Sequence, residues 1–323
     1  MNWGRAAIGV GGAMVIGMVA WFGAQSIGVE VLAASWVVPF TAALLVFQLW
    51  LSAIAWRIAM DVDEPRLSRF LRIRWIREAV NSLLPVAQLG GNLVGIRLLS
   101  QRRVRGVVAA AGTVLDLTIE ALAQFLFTLA GFVVLATIDT ERSWSSWIGG
   151  VLLSGALGVG GFILAQRVGL MRLVEVLADK LAGMFPAFAF GGASGLHSEL
   201  LRLQRNPRAL LRSCCLHLLA WSLGTVEVWL ALTAMGQQPG IGTAFVIESL
   251  GMAARSAGFA VPGALGVQEG GLIVVCDLFG IHPDMAIALS MIKRLRELVI
   301  GIPGLIAWQL SEGKRIVRKK HES

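Results

Sequence analysis

The sequence predicts an all-α integral membrane protein with about six transmembrane helices and two re-entrant helical hairpins in an inverted repeat. Three observations predict it. Apolar side chains make up 56% of the 323 residues and charged ones only 15%, far from the balance of soluble domains. Apolar runs long enough to cross a bilayer core, which takes about 20 helical residues, recur along the chain. Two shorter apolar stretches are broken in the middle by proline and glycine, and they lie 177 positions apart.

The spans follow in order. Ala6 to Ile27, Trp36 to Trp56 and Ser143 to Gln166 are uncharged. The first has Arg5 before it, as a signal peptide would. Its apolar run exceeds the usual signal core of about 7 to 15 residues and no clear small-residue cleavage site follows, so it is expected to be retained. Gly106 to Ile138 carries Asp116 and Glu120, Ser213 to Met235 carries Glu227, and Met285 to Ser311 carries Lys293, Arg294, Arg296 and Glu297. If these six alternate across the membrane, twenty-three of the 28 Lys and Arg fall on one side. The positive-inside rule makes that side, with both termini, cytoplasmic. The net charge of +8 is then mostly topology, and nucleic acid is not expected as a partner. Cys214, Cys215 and Cys276 lie in apolar runs and read as buried small hydrophobes. Trp3, Trp36, Trp56, Trp144 and Trp147 sit near span ends, where an interfacial belt places them.

Asn81 to Leu99 enters and leaves on the arginine-rich side and is interrupted by Pro85 and the Gly90-Gly91 pair. Ile241 to Gly280 starts from the other side and contains Pro262, Gly263, Gly266, Gly270 and Gly271. Proline removes a helical donor and glycine loosens the helix, so each stretch reads as two half-helices joined within the membrane. A shift of 177 superposes Pro85 on Pro262, Thr113 on Ser290 and Glu120 on Glu297. Because the two units start from opposite sides, the repeat is inverted, the arrangement by which many transporters build a central site. The chain divides, as one membrane domain over 1–323, into an N-terminal helix (1–35), a first repeat (36–138, hairpin 81–99), a connecting helix with a cytoplasmic amphipathic loop (139–212), a second repeat (213–311, hairpin 241–280) and a basic cytoplasmic tail (312–323). Within the loop, Leu170, Leu173, Val174, Leu177, Leu181, Met184 and Phe185 share one helical face, the pattern of a helix lying on the inner leaflet.

Ionisable groups inside a bilayer are costly and usually face a cavity or a partner. Asp116 and Glu120 share a helical face, as do Lys293 and Glu297 at the equivalent positions of the second unit. Acid is expected to face base across the pseudo-symmetry, with Asp116 and Glu120 opposite Lys293, Arg294 and Arg296. A polar seam for a lipid headgroup would add Glu248, Arg255 and Glu269 at the outer hairpin and Arg77, Glu78, Asn81, Gln88 and Asn92 at the inner one. For Asp116 and Glu120 with Lys293, Arg294 and Arg296, a packing role is equally open. Arg66, Arg69, Arg72, Arg74 and Arg77 cluster before the inner hairpin, where anionic headgroups would be attracted. His197, His217, His282 and His321 have no metal-ligand spacing, and no nucleotide-binding or nucleophile motif occurs. No cofactor and no metal are expected.

The segment Pro262-Gly263-Ala-Leu-Gly266-Val-Gln268-Glu269, with Arg255 upstream, resembles the P-G-x-x-G-V-x-E signature of the lysylphosphatidylglycerol synthase transmembrane region and its flippase-like relatives. Asn81-x-x-x-Pro85-x-x-x-x-Gly90-Gly91 looks like the partner motif. The ending Ile302-Pro-Gly-Leu-Ile-Ala-Trp-Gln309 and the form GALGVQEGG look most like the hopanoid-biosynthesis-associated branch. Gln268 stands where many relatives have arginine, and Asp116 where an arginine-bearing motif is common. The resemblance implies a lipid flippase or transporter of the bacterial inner membrane, without catalytic activity of its own. Hopanoids or anionic phospholipids would be its lipids, hopanoid-biosynthesis enzymes its protein partners, and an oligomer is compatible with it. A lipid-modifying transferase using Asp116, Glu120 or Glu269 as general base, and a non-catalytic scaffold docking through 167–212, are the alternatives.

Overall fold

The computed structural model describes residues 24–62, 65–84, 90–102, 104–138, 195–258 and 261–322, with a few isolated positions between 157 and 164. The described residues are entirely helical apart from turns. In chain order the helices are α1 (Ala24–Ala34), α2 (Val38–Met60), α3 (Leu67–Leu83), α4 (Gly90–Ser100), α5 (Gly106–Ile138), α6 (Leu196–Gln204), α7 (Pro207–Ala234), α8 (Ile241–Ala257), α9 (Val267–Asp277) and α10 (Pro283–Glu322). Short 3-10 turns, Ser35–Val37 and Pro262–Ala264, precede α2 and α9. Most of the expected first span, the expected span Ser143 to Gln166 and the amphipathic segment from Leu170 to Phe185 lie outside the described residues.

Among the described residues, three helical stretches are long and apolar enough to cross a membrane: Ile27–Met60, Gly106–Ile138 and Pro207–Ala234. Much of their surface stays apolar and uncovered. Trp36, Phe40, Phe47 and Trp50 on the α2 side and Leu298, Val299, Ile302, Ile306 and Leu310 on α10 are exposed, a pattern that lipid tails accommodate and water does not. Local chemistry sets the boundaries. Asn206 accepts at Oδ1 from the Ala209 amide at 3.1 Å and Pro207 follows at the first helical position, so α7 starts six residues ahead of the expected span. At the end of α3, Leu84 is extended, as the residue before a proline must be.

α3 with α4, and α8 with α9, form two helical hairpins. The first arm of the first hairpin runs from Leu67, not Asn81, because the arginines ahead of Asn81 are drawn into the bundle by carboxylates on α5. α3 and α10 run antiparallel: Trp75 donates to the Ile300 carbonyl at 2.7 Å, and Arg72 to Ser311 Oγ at 3.2 Å. The carboxyl end of α10 therefore lies beside the start of α3. The first hairpin, α5 and α7 open from that same end, where Arg66, Arg69, Arg72, Arg102, Arg105, Arg205, Arg208 and Arg212 are exposed. The second hairpin enters from the other end, and Gly263 at its tip packs against the Ser82 carbonyl at the tip of the first.

The helix starts reproduce the spacing in the sequence. α4 and α5 begin at 90 and 106, α9 and α10 at 267 and 283, in each case 177 later, and α4 and α9 are both 11 residues long. Two expectations about single residues need correction. Trp56 is fully buried, not interfacial, with the Arg77 guanidinium 5.1 Å above its ring. Cys214 and Cys276 are buried as expected, but Cys215 is exposed on the outer face of α7.

Candidate functional site

Between the hairpins, α2, α5, α7 and α10 enclose a cavity of about 680 Å³, within the range of small-molecule sites. Arg74, Arg77, Arg255 and Arg296 line it, together with Glu78, Glu120, Glu248 and Glu297. The formal charges of these eight cancel. Gln48, Ser52, Gln124 and Thr128 add polar neutral groups and His217 an imidazole, while Leu45, Leu49, Phe125, Trp221 and Met252 supply apolar wall.

The charges belong to three networks. In the first, Arg74 donates to Glu120 Oε1 at 2.7 Å, Arg77 donates to Asp116 Oδ2 at 2.7 Å and to Glu120 Oε2 at 3.3 Å, and His217 Nε2 lies 3.1 Å from Asp116 Oδ1. In the second, Arg255 donates to Glu297 Oε1 at 2.5 Å and to Gln268 Oε1 at 2.6 Å. In the third, Lys293 donates to Glu248 Oε2 at 2.6 Å and Glu227 Oε2 at 3.4 Å, and Arg296 Nη1 is 2.5 Å from the same Glu227 oxygen. Groups this buried are tolerable only when paired and hydrogen-bonded. Helical spacing makes the pairing possible: Asp116 and Glu120, one turn apart on α5, meet Arg74 and Arg77, one turn apart on α3.

The expected pairing of Asp116 and Glu120 with Lys293, Arg294 and Arg296 is corrected by this geometry. Each long helix finds a counter-charge on a hairpin arm, and α10 finds a further one in Glu227 of α7. Glu120 and Glu297, equivalent under the shift of 177, both accept from an arginine on the first arm of their own repeat's hairpin. At the neighbouring equivalent pair the signs reverse: Asp116 takes an arginine from α3, and Lys293 a glutamate from α8.

The Pro-Gly segment has a different task from the one expected of it. Gly263, Ala264 and Gly266 have positive φ values of 61°, 49° and 81°, a conformation that glycine adopts at least cost. Glu269, without exposed side-chain surface, accepts from the Gly266 amide at 2.7 Å, from Ser290 Oγ at 2.8 Å and from Arg294 Nε at 2.8 Å. Arg294 also donates to the Gly263 carbonyl at 3.2 Å. Neither residue lines the cavity; together they clamp the tip of the second hairpin onto α10. Gln268 is likewise set back, bridging Arg255 to Ser290. The first hairpin is tied by a simpler device: Asn81 Oδ1 accepts from the Gly91 amide at 2.8 Å, and a side chain at Gly91 would run into the Arg77 carbonyl.

Of the expected pathway residues, Arg77, Glu78, Asn81, Asn92, Glu120, Glu248, Arg255, Arg296 and Glu297 border the cavity. Asp116 and Lys293 stand one contact behind it, Gly90 opens α4, and Pro262 opens the 3-10 turn. Pro85 and Gln88 lie outside the described residues. Arg74, His217 and Glu227 belong to the networks but were not among the expected pathway residues. Arg74 was hidden within a run of arginines that otherwise reads as cytoplasmic. His217 and Glu227 carried a usable signal, since both are ionisable groups inside an apolar span.

Residues 6–304 match the lysylphosphatidylglycerol synthase transmembrane region. The chain belongs to that family. Two proteins of Methanothermobacter thermautotrophicus (strain Delta H), both named UPF0104 membrane protein, are similar to it. One is 24% identical over 287 residues, covering 81% of this chain and 79% of the relative. The other is 25% identical over 267 residues, covering 78% and 77%. No solved structure matches. Membership makes this a membrane protein, and the exposed apolar faces of the bundle agree with that.

Proposed function

We propose that the protein moves or presents a polar-headed membrane lipid, the headgroup occupying the cavity while the tails remain in the bilayer. The observation that carries this proposal is a cavity of about 680 Å³, walled by four arginines and four glutamates inside an otherwise apolar bundle. A charged lining with no net charge can receive a headgroup by exchanging partners, arginine to phosphate and glutamate to amine or hydroxyl, without leaving a lone ion in low dielectric. Read as re-entrant from opposite faces, the two hairpins would give the site the construction of an alternating-access pathway, which supports this reading. The arginine-rich end of the bundle supports a cytoplasmic placement of the C-terminus, in a bacterial inner membrane. The family resemblance makes a hopanoid-related lipid or an anionic phospholipid the candidate substrate, and the four arginines of the wall favour a headgroup that carries a phosphate. A transferase is less well supported, because Asp116 and Glu269 are sealed away on arginines, and Glu120, which does border the cavity, has its oxygens held by Arg74 and Arg77.

Purified protein reconstituted into liposomes tests the proposal. Translocation of an anionic phospholipid or a hopanoid between leaflets should be accelerated, and Glu120→Gln or Arg255→Gln should slow it by about tenfold or more while the protein still inserts and remains monodisperse. Protein-containing liposomes no faster than empty ones for any such lipid would refute transport, and a new lipid species in their mass spectrum would establish the transferase instead.

A further inference from the structure

His217 forms part of the cavity wall, and its Nε2 lies 3.1 Å from Oδ1 of Asp116. Asp116 itself has no exposed side-chain surface, and its other oxygen accepts from Arg77. The imidazole is thus the link between the cavity and a sealed carboxylate. An ionised carboxylate only accepts hydrogen bonds, so Nε2 carries the ring proton and Nδ1 is the atom that would gain a second one. Among the described residues of the cavity wall, histidine is also the side-chain type whose charge ordinarily changes near neutral pH.

The groups facing this ring decide what a second proton would do. α3 contributes Arg74 and Arg77, and α5 contributes Asp116 and Glu120. Glu78, also on α3, is turned to Ser82, whose hydroxyl is 3.3 Å away. α2 offers the neutral Gln48 and Ser52, and α8 and α10 supply Glu248, Arg255, Arg296 and Glu297 across the cavity. Within the network that touches the ring, two arginines meet two carboxylates, so with a neutral ring the charges cancel. A protonated ring, on a side chain only 1% exposed, leaves that network with an excess of one positive charge, which is unfavourable unless an anion arrives. A phosphate-bearing headgroup in the cavity is such an anion. Each event then favours the other by the same factor.

We infer that the cavity binds an anionic phosphate headgroup together with one proton, the proton residing on Nδ1 of His217; this rests on the lipid pathway proposed above. No covalent bond forms or breaks. The proton enters from solvent as the headgroup enters and leaves with it, so a pH difference across the membrane can drive the lipid.

Full-length protein in detergent, titrated calorimetrically with short-chain phosphatidylglycerol in two buffers of different ionisation enthalpy, counts the protons. About one proton should be taken up per lipid bound, with affinity weakening by up to about tenfold per unit rise in pH across the titration. Diacylglycerol, lacking the phosphate, should bring none. His217→Gln, whose amide can still donate to Asp116, should abolish both the uptake and the pH dependence. Binding by the unaltered protein without uptake, or uptake unchanged in His217→Gln, overturns the proton site and leaves the lipid pathway standing. Absence of lipid binding at every pH overturns both. Inorganic phosphate that binds as tightly as the lipid, with the same uptake, overturns the lipid headgroup as occupant.

Discussion

Glu269 offers the sharpest test of how the second hairpin is held. Replacing it by alanine removes the acceptor for the Gly266 amide, for Ser290 and for Arg294 at once. The first bond is a helix cap, worth about 0.5 to 2 kcal/mol. The other two cross between helices, where measured values in membranes run from about 0.6 to about 1.7 kcal/mol each. Together they come to roughly 2 to 5 kcal/mol. Glu269→Gln keeps the volume and one acceptor oxygen but loses the charge that Arg294 faces, so it should fall near the lower end. Unfolding in mixed detergent and sodium dodecyl sulfate micelles, followed by tryptophan fluorescence, measures both. Double substitution with Arg294→Ala isolates the Glu269–Arg294 coupling, expected at about 1 kcal/mol or more. A loss below about 0.5 kcal/mol for Glu269→Ala, with lipid handling abolished, would refute the clamp and return Glu269 to the pathway.

Two further outcomes follow from close contacts and buried charge. Gly91→Ala forces a methyl group into the Arg77 carbonyl and the Asn81 side chain and should destabilise the fold by about 1 to 3 kcal/mol, whereas Gly28→Ala, which meets nothing within 4 Å, should not; the same micelle assay compares them. Asp116→Asn strips the counter-charge from Arg77, 2% exposed, and should cost about 3 to 5 kcal/mol. Adding Arg77→Gln should recover part of that loss, and no recovery would mean that the pair is not the unit of stability.

Much of the protein is legible in its residues. Gly106–Ile138 was delimited to the residue, because apolar length is a local property and the helix stops where the apolar run does, its two acids notwithstanding. The second hairpin was located by Pro262 and its glycines, and the same shift of 177 recurs between the starts of α4 and α9 and of α5 and α10. About half of the pathway residues were named on one physical ground: an ionisable side chain in an apolar span is costly enough that it must face a partner or a cavity. The first arm of the inner hairpin was misplaced because a run of arginines ahead of Asn81 looks solvated until carboxylates on another helix are known to meet it.

By itself the sequence determined that this chain is helical, membrane-embedded and furnished with buried charge, since hydropathy acts along the chain. Only the tertiary structure decided which charge meets which. Pairing depends on how each helix is rotated about its axis and on which neighbour it touches, and neither is written in local composition. That is why Glu120 and Arg255 face a cavity, Glu269 turned out to close a hairpin, and His217 stands between the cavity and Asp116.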